Sequence, residues 1–315
     1  MLRRAFVQGV LAAGALPFFT TVARAFEPST SVPPSRMAEG SPSRTAQGAA
    51  VLRASHQILD QPPVLDDPLA LRILGARLES EVRANPRPGR AALRAFVALR
   101  SRFAEDQLAR AVHRGVGQYV VLGAGLDTFA YRNRFPGSRL HVFEVDHPAT
   151  QTWKIGRLQE VGIDIPDSLS FVPVDFERQS LSAELKRAGF RPEEPAFFSW
   201  LGVVVYLTSD AVRATLEFIA SLATGTEVVF DYGIPSSALT DVERASRDAA
   251  AKRVAAIGEP WITYFDPASL ALELLDIGFS DVEDLGPHQA RERYLSNRLD
   301  GLRIGEVGHL MRAVL

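Results

Sequence analysis

Two acids, Glu144 and Asp146, follow a Gly123-Ala124-Gly125 turn at about the 20-residue distance at which a nucleotide fold holds a ribose hydroxyl pair. Glycines at the turn let the backbone bend tightly and approach a ligand with no Cβ in the way. A helix over about 127–133 would then direct its unpaired N–H groups at whatever lies above the glycines. A dinucleotide fingerprint places a third glycine where this chain has Thr128. A bare Gly-x-Gly also serves as a plain tight turn. The acids downstream are what turn the reading towards a nucleoside.

Further candidates follow later apolar runs: Asp175 and Phe176, the stretch Ser199 to Leu207 with Tyr206, then Asp231 and Tyr232. His147 comes directly after Asp146. A nucleoside needs an acid for the ribose diol, an acid and a backbone amide for adenine, and apolar or aromatic faces for the ring. Each acid could equally be a strand-end cap, and Trp153, Trp261 and Tyr264 read as core or lid packing.

The elements that must position these residues alternate. Strands are expected at 119–123, 140–145, 169–174, 196–202, 226–232, 279–285 and 308–314. Helices are expected at about 127–133, 148–161, 180–188, 209–222, 240–256 and 266–277. Short apolar strands alternating with helices predict an α/β fold, a Rossmann-like doubly wound sheet of seven mostly parallel strands. Ligands of such sheets bind beyond the carboxyl ends of the strands, where all the candidates above fall. Before the first strand come three helical patterns. One runs over Ser43 to Leu59 and stops at Pro62-Pro63, one starts at Asp66-Asp67-Pro68, and a long one spans Arg90 to Val112. They would form an N-terminal helical lid.

Composition narrows the field. The chain has 315 residues, 46% hydrophobic and 23% charged, enough for one large domain. A net charge of −2 offers no basic footprint for nucleic acid. There is no cysteine, so disulfides and thiolate chemistry are excluded. The six histidines show no metal-ligand spacing, so no metal is expected. The absence of G-x-S-x-G argues against a serine hydrolase of the α/β type.

The string VVLGAGLDTFAYR at 120–132 closely resembles the S-adenosylmethionine (SAM) site of the leucine carboxyl methyltransferase-like family, class I SAM-dependent methyltransferases with many bacterial members of unassigned substrate. The likeness runs from about Ser43 to the C-terminus and includes LRSRFAEDQLARAV (99–112), FEVDHP (143–148), VPVDFE (172–177) and SWLGVVVYLT (199–208). It implies SAM as cofactor. By resemblance, an arginine on the lid helix holds the methionine carboxylate, assigned to Arg100 with Arg102 second. Gly123, Ala124 and Gly125 form the cofactor turn, Asp127 either caps the helix after it or holds the amino group at the methionine end, Asp146 (Glu144 second) binds ribose, and Asp175 with Phe176 contacts adenine. The family's leucine carboxyl methyltransferases proper carry a glutamate near where Leu201 stands, which puts transfer of their protein substrate in doubt.

Methyl transfer from a sulfonium is an in-line displacement with an activated leaving group, so alignment and exclusion of water dominate. The expectation is O-methylation of a small molecule or carboxylate. A hydroxyl acceptor would need a base, for which Tyr206, His147 and Asp127 are the candidates. Two other readings stand beside it: an NAD-type oxidoreductase, and a non-catalytic SAM-binding relative.

The N-terminus points two ways. Arg3-Arg4, an uncharged stretch to Ala23 and the Ala23-Arg24-Ala25 site have the layout of a twin-arginine export signal over residues 1–25. The apolar part is short for a membrane span, and no stable membrane insertion is expected. A Pro- and Ser-rich linker follows over 26–43, then the catalytic domain at 44–315. That domain divides into a lid, 44–115, and a core, 116–315, with an insertion at about 233–265. SAM is made in the cytoplasm, which favours that compartment. The sequence from Met37 also resembles a family N-terminus, and a second reading takes residues 1–36 as an upstream extension. N-terminal sequencing of the native protein decides, since peptides from 1–36 would remove the extension reading.

Overall fold

A computed structural model describes residues 43–86, 90–135, 139–175 and 178–315, so the export-signal segment and almost all of the expected linker lie outside the described residues. A seven-stranded sheet has the order β3-β2-β1-β4-β5-β7-β6. Its strands are β1 (Gln118–Leu122), β2 (His141–Asp146), β3 (Leu169–Pro173), β4 (Ala196–Trp200), β5 (Glu227–Gly233), β6 (Asp281–Leu285) and β7 (Gly308–Val314). Neighbours from β3 to β5 are parallel, and β7 runs antiparallel between β5 and β6. The chain order reverses between β1 and β4, which is the switch point where a ligand crevice forms.

Both faces of the sheet are covered, which is why β1, β4 and β5 are apolar almost throughout and buried along their whole length. One core gathers Val120, Phe143, Phe198 and Phe230 under α5 (Leu181–Arg187), α6 (Ser209–Ala220) and α8 (Pro267–Asp276). The other gathers Tyr119, Val121, Phe197 and Val229 under α3 (Ala91–His113) and α9 (Pro287–Leu295). A third cluster joins α1 (Arg44–Leu59), α2 (Ala76–Ala84) and α4 (Pro148–Glu160) beside the β1 turn.

The lid helix α1 starts at Ser43, whose hydroxyl accepts from the Ala46 N–H, and ends before Pro62-Pro63. The loop after it is pinned by a buried triad. Asp60 takes a bidentate contact from Arg94 at 2.7 and 2.8 Å and a third from His56 Nδ1 at 2.7 Å. His56 Nε2 accepts from the Val64 N–H at 2.8 Å, which fixes the tautomer with the proton on Nδ1.

Three expectations need correction. The helix expected at 127–133 is only a 3-10 turn, Phe129–Tyr131. Asp127 caps it at the Phe129 N–H, and Asn133 then caps the Phe135 N–H, so the chain leaves helical geometry after one turn. The helix expected from Asp66 is a turn and a 3-10 segment, Arg72–Leu74, because Gly75 at φ 80° breaks it before α2. Helix α9, between β6 and β7, was not foreseen, since its exposed face carries His, Gln, Arg and Glu and only a few apolar anchors mark it. The insertion holds α7 (Asp241–Ala255) and then an extended strap to Phe265.

Candidate functional site

The turn after β1 is bare backbone on the inner side. Gly123 and Gly125 take left-handed φ angles of 68° and 47°. A Cβ on Gly123 would stand 2.4 Å from Val203 Cγ2, and one on Gly125 would stand 3.0 Å from Ala46 Cβ of the lid. Only glycine accepts both the angle and the space. Asp146, at the end of β2, holds the turn. Asp146 accepts from the Gly125 N–H at 2.6 Å with one oxygen and from the His147 N–H at 2.7 Å with the other. Burial raises the Asp146 pKa, opposed by those two N–H groups. His147 is the N-cap of α4, its Nδ1 accepting from the Ala149 N–H at 3.2 Å.

Glu144 stands two residues before Asp146 and so on the same face of β2, but one pleat deeper. It is 1% exposed, paired with the buried Lys154 at 2.6 Å and accepting from the Tyr131 hydroxyl. Burial pushes its carboxyl up to about 7 against the pull of Lys154. The structure therefore places Glu144 beneath the turn as a support, not on the cleft as the second-choice ribose ligand. Asp127 caps Phe129 at 2.8 Å, and Arg53 approaches its other oxygen at 4.0 Å. Burial acts to raise the Asp127 pKa, but Arg53, Lys154 and Arg132 outweigh it and hold the carboxyl below its usual value.

The lid grips this turn through groups that the sequence reading missed. Arg53 donates to the Leu126 carbonyl and pairs with Asp67 at 2.8 Å. Asp67 accepts from the Thr128 hydroxyl at 2.7 Å, and Arg132 bridges Thr128 and Glu105. The signal for Arg53 was present: a charged residue on the apolar stripe of α1. Thr128, in the place of the third glycine of a dinucleotide site, thus ties turn to lid.

Across the switch point, Arg100 on α3 reaches Asp231 at the end of β5 at 2.9 Å. The Gly202 N–H donates to the other Asp231 oxygen, and a Cβ on Gly202 would stand 2.6 Å from the Arg100 guanidinium. Arg100 Nε is buried and makes no hydrogen bond. Arg102 points away, to Asp106 and the Val64 carbonyl, so it is not part of this cluster. Tyr206 follows β4 in the 3-10 turn Val204–Tyr206, with Trp261 and Thr45 beside its hydroxyl. Burial raises its pKa. Asp175 follows β3 on the same edge of the sheet, its N–H donating to Gln179 at 2.9 Å. Phe176, the expected adenine neighbour, lies outside the described residues.

A carboxylate at the end of β2 and a bare glycine turn are what a nucleoside requires, and SAM carries one. Together with a parallel sheet closed by an antiparallel β7, they define a class I methyltransferase. The comparisons with known proteins agree. The family model for leucine carboxyl methyltransferase matches residues 46–220, and the chain belongs to that family. A Bacillus subtilis relative, YktD, named by inference as a SAM-dependent methyltransferase, is 36% identical over 217 residues, 68% of this chain and 71% of its own. A similarly named relative from Frankia alni is 34% identical over 229 residues, 70% of this chain and 76% of its own. A crystal structure from Thermobifida fusca, described by inference as a methyltransferase, superposes with a TM-score of 0.51 at 14% identity. That match covers 90% of this chain and 98% of that one, and it bears on the fold alone. The oxidoreductase alternative is thereby displaced: the protein is a SAM-dependent methyltransferase. Among the described residues no helix is long and apolar enough to cross a membrane.

Proposed function

We propose that the protein transfers the SAM methyl group to an oxygen of a small molecule, with a carboxylate as the favoured acceptor. What supports this reading is that every acid and base expected near the methyl is already committed. Asp231 is held by Arg100 and the Gly202 N–H. Asp127 caps the turn, and His147 spends its Nδ1 lone pair on the Ala149 N–H. Tyr206 keeps its proton through burial, so it suits a hydrogen-bond donor better than a base. A carboxylate acceptor is already a nucleophile and needs no base; a phenol or alcohol would.

In this reading Asp146 binds the ribose hydroxyls, the Gly123–Gly125 backbone faces the methionine moiety, and Arg100 holds the methionine carboxylate. Asp175 stands at the adenine end. When bound, SAM supplies a methyl group on a positively charged sulfur. The chain's own work is to orient the acceptor in line with it and to exclude water. Radiolabelled SAM with a panel of carboxylic acids tests the reading. The product should be a methyl ester, which alkali cleaves to volatile labelled methanol. Label that stays in an alkali-stable ether or N-methyl product overturns it.

A further inference from the structure

The strap after α7 and the first turn of α1 are more than 200 residues apart in sequence, yet one side chain joins them. Glu259 Oε1 accepts from the Arg44 N–H at 2.9 Å. Its Oε2 accepts from the Thr45 N–H and the Ser43 hydroxyl, each at 3.2 Å, and from the Thr45 hydroxyl. Ser43 itself takes the Ala46 N–H. The first three N–H groups of α1, which have no partner within the helix, are therefore all satisfied, two of them by a carboxylate from elsewhere in the fold.

That first turn roofs the cofactor site. Ala46 lies over Gly125, Thr45 lies beside Tyr206, and Ser43 contacts Thr150 at the start of α4. The strap that carries Glu259 is anchored on the opposite wall. The Ile262 N–H donates to the Val205 carbonyl at 2.8 Å, Thr263 bonds the Leu207 carbonyl, and the Phe265 N–H donates to the Gly233 carbonyl at 2.9 Å. Gly258, at φ 85°, turns the chain out of α7 so that Glu259 faces α1.

We infer that Glu259 is a positioning residue for the methyl-transfer site. It latches the α1 roof to the β4 and β5 wall, holding the methionine end of the cofactor closed in while leaving the glycine turn itself unchanged. The inference rests on the SAM site lying at the glycine turn. Glu259 touches neither cofactor nor acceptor on this account; it acts through Thr45 and Ala46.

Two measurements on the full chain test it, with S-adenosylhomocysteine as the probe. In Glu259→Ala the dissociation rate of the probe should rise about tenfold, the size of a lost charge-assisted helix cap. Glu259→Gln, which keeps one acceptor oxygen, should fall in between. The melting temperature of the ligand-free chain should move by only about 2 °C. Separately, NMR-detected amide exchange should show Arg44 and Thr45 protected in the wild type and unprotected in Glu259→Ala. Unchanged release in Glu259→Ala, or equal exchange of those amides in both proteins, overturns the latch. So does a loss of ligand-free stability that Gln does not restore, since Glu259 would then be holding the fold and not the roof. Failure of the wild type to bind the probe would instead refute the cofactor site, and the amide exchange still reports on the latch by itself.

Discussion

Replacing Asp146 by asparagine keeps the shape of the side chain and removes its charge, and the geometry sets how much that should matter. The carboxylate uses one oxygen for the Gly125 N–H and the other for the His147 N–H. Asparagine has one oxygen, so its amide nitrogen must face one of those two donors. A hydrogen bond to a charged acceptor contributes about 1.5–3 kcal/mol, and a buried donor left without an acceptor costs about 1–3 kcal/mol. The turn alone should therefore lose about 2 kcal/mol in the ligand-free chain. Ribose hydroxyls donating to the remaining lone pairs of the carboxylate lose a further charge-assisted contribution, so affinity for S-adenosylhomocysteine should fall by about 3 kcal/mol, on the order of 100-fold. Calorimetric titration gives the affinity and thermal melting without ligand gives the turn. Acid should act the same way: as pH falls through the raised pKa of Asp146, cofactor affinity should fall with it. Binding by Asp146→Asn within about threefold of wild type, well inside the loss of a single hydrogen bond, would refute the ribose assignment.

Gly123→Ala should destabilise the chain by about 1–3 kcal/mol, combining a left-handed φ with a 2.4 Å approach to Val203. Adding Val203→Ala should recover part of the loss in thermal melting, because it removes the clash and leaves the φ strain. Asp60→Asn should cost about 3–5 kcal/mol in denaturant unfolding, since it leaves Arg94 buried without its counter-charge. Acid titration probes the same group. Burial acts to raise the Asp60 pKa, but Arg94 and His56 outweigh it and bring the carboxyl from 3.8 to about 2. Its contribution of about 2 kcal/mol is complete above about pH 5 and is lost as pH falls through the folded-state value of about 2, so Asp60→Asn should flatten the acid limb of stability in that window.

The strands were legible because they are buried on both faces: uninterrupted apolar runs such as Tyr119 to Leu122 and Ala196 to Trp200 leave little choice of element. The glycine turn and Asp146 were legible because a local motif encodes them. The single-turn helix at Phe129 was not, because two side-chain caps, Asp127 and Asn133, compete with a helical pattern that looks continuous. Glu144 and Asp146 were ranked in sequence by resemblance alone, not by any property of the two residues. They share a face of β2, and only the position of Lys154 on α4 shows which of them is sealed below the cleft. Glu259 left no trace in sequence, since its meaning depends on α1 arriving from the other end of the chain.

The committed state of the ionisable groups also bears on how this site separates binding from chemistry. Arg53, Asp67, Thr128 and Arg132 join the lid to the turn below the cofactor cleft, and all are buried or nearly so. Breaking one leaves its partner charged in a place that water does not reach, which makes that joint rigid. Across the switch point Arg100 and Asp231 form a second buried pair, and the strap is held separately on the Val205 and Gly233 carbonyls. Both joints are closed ion pairs between the lid and the sheet, so a substitution in either should register as lost stability in the ligand-free chain as well as in any change of binding.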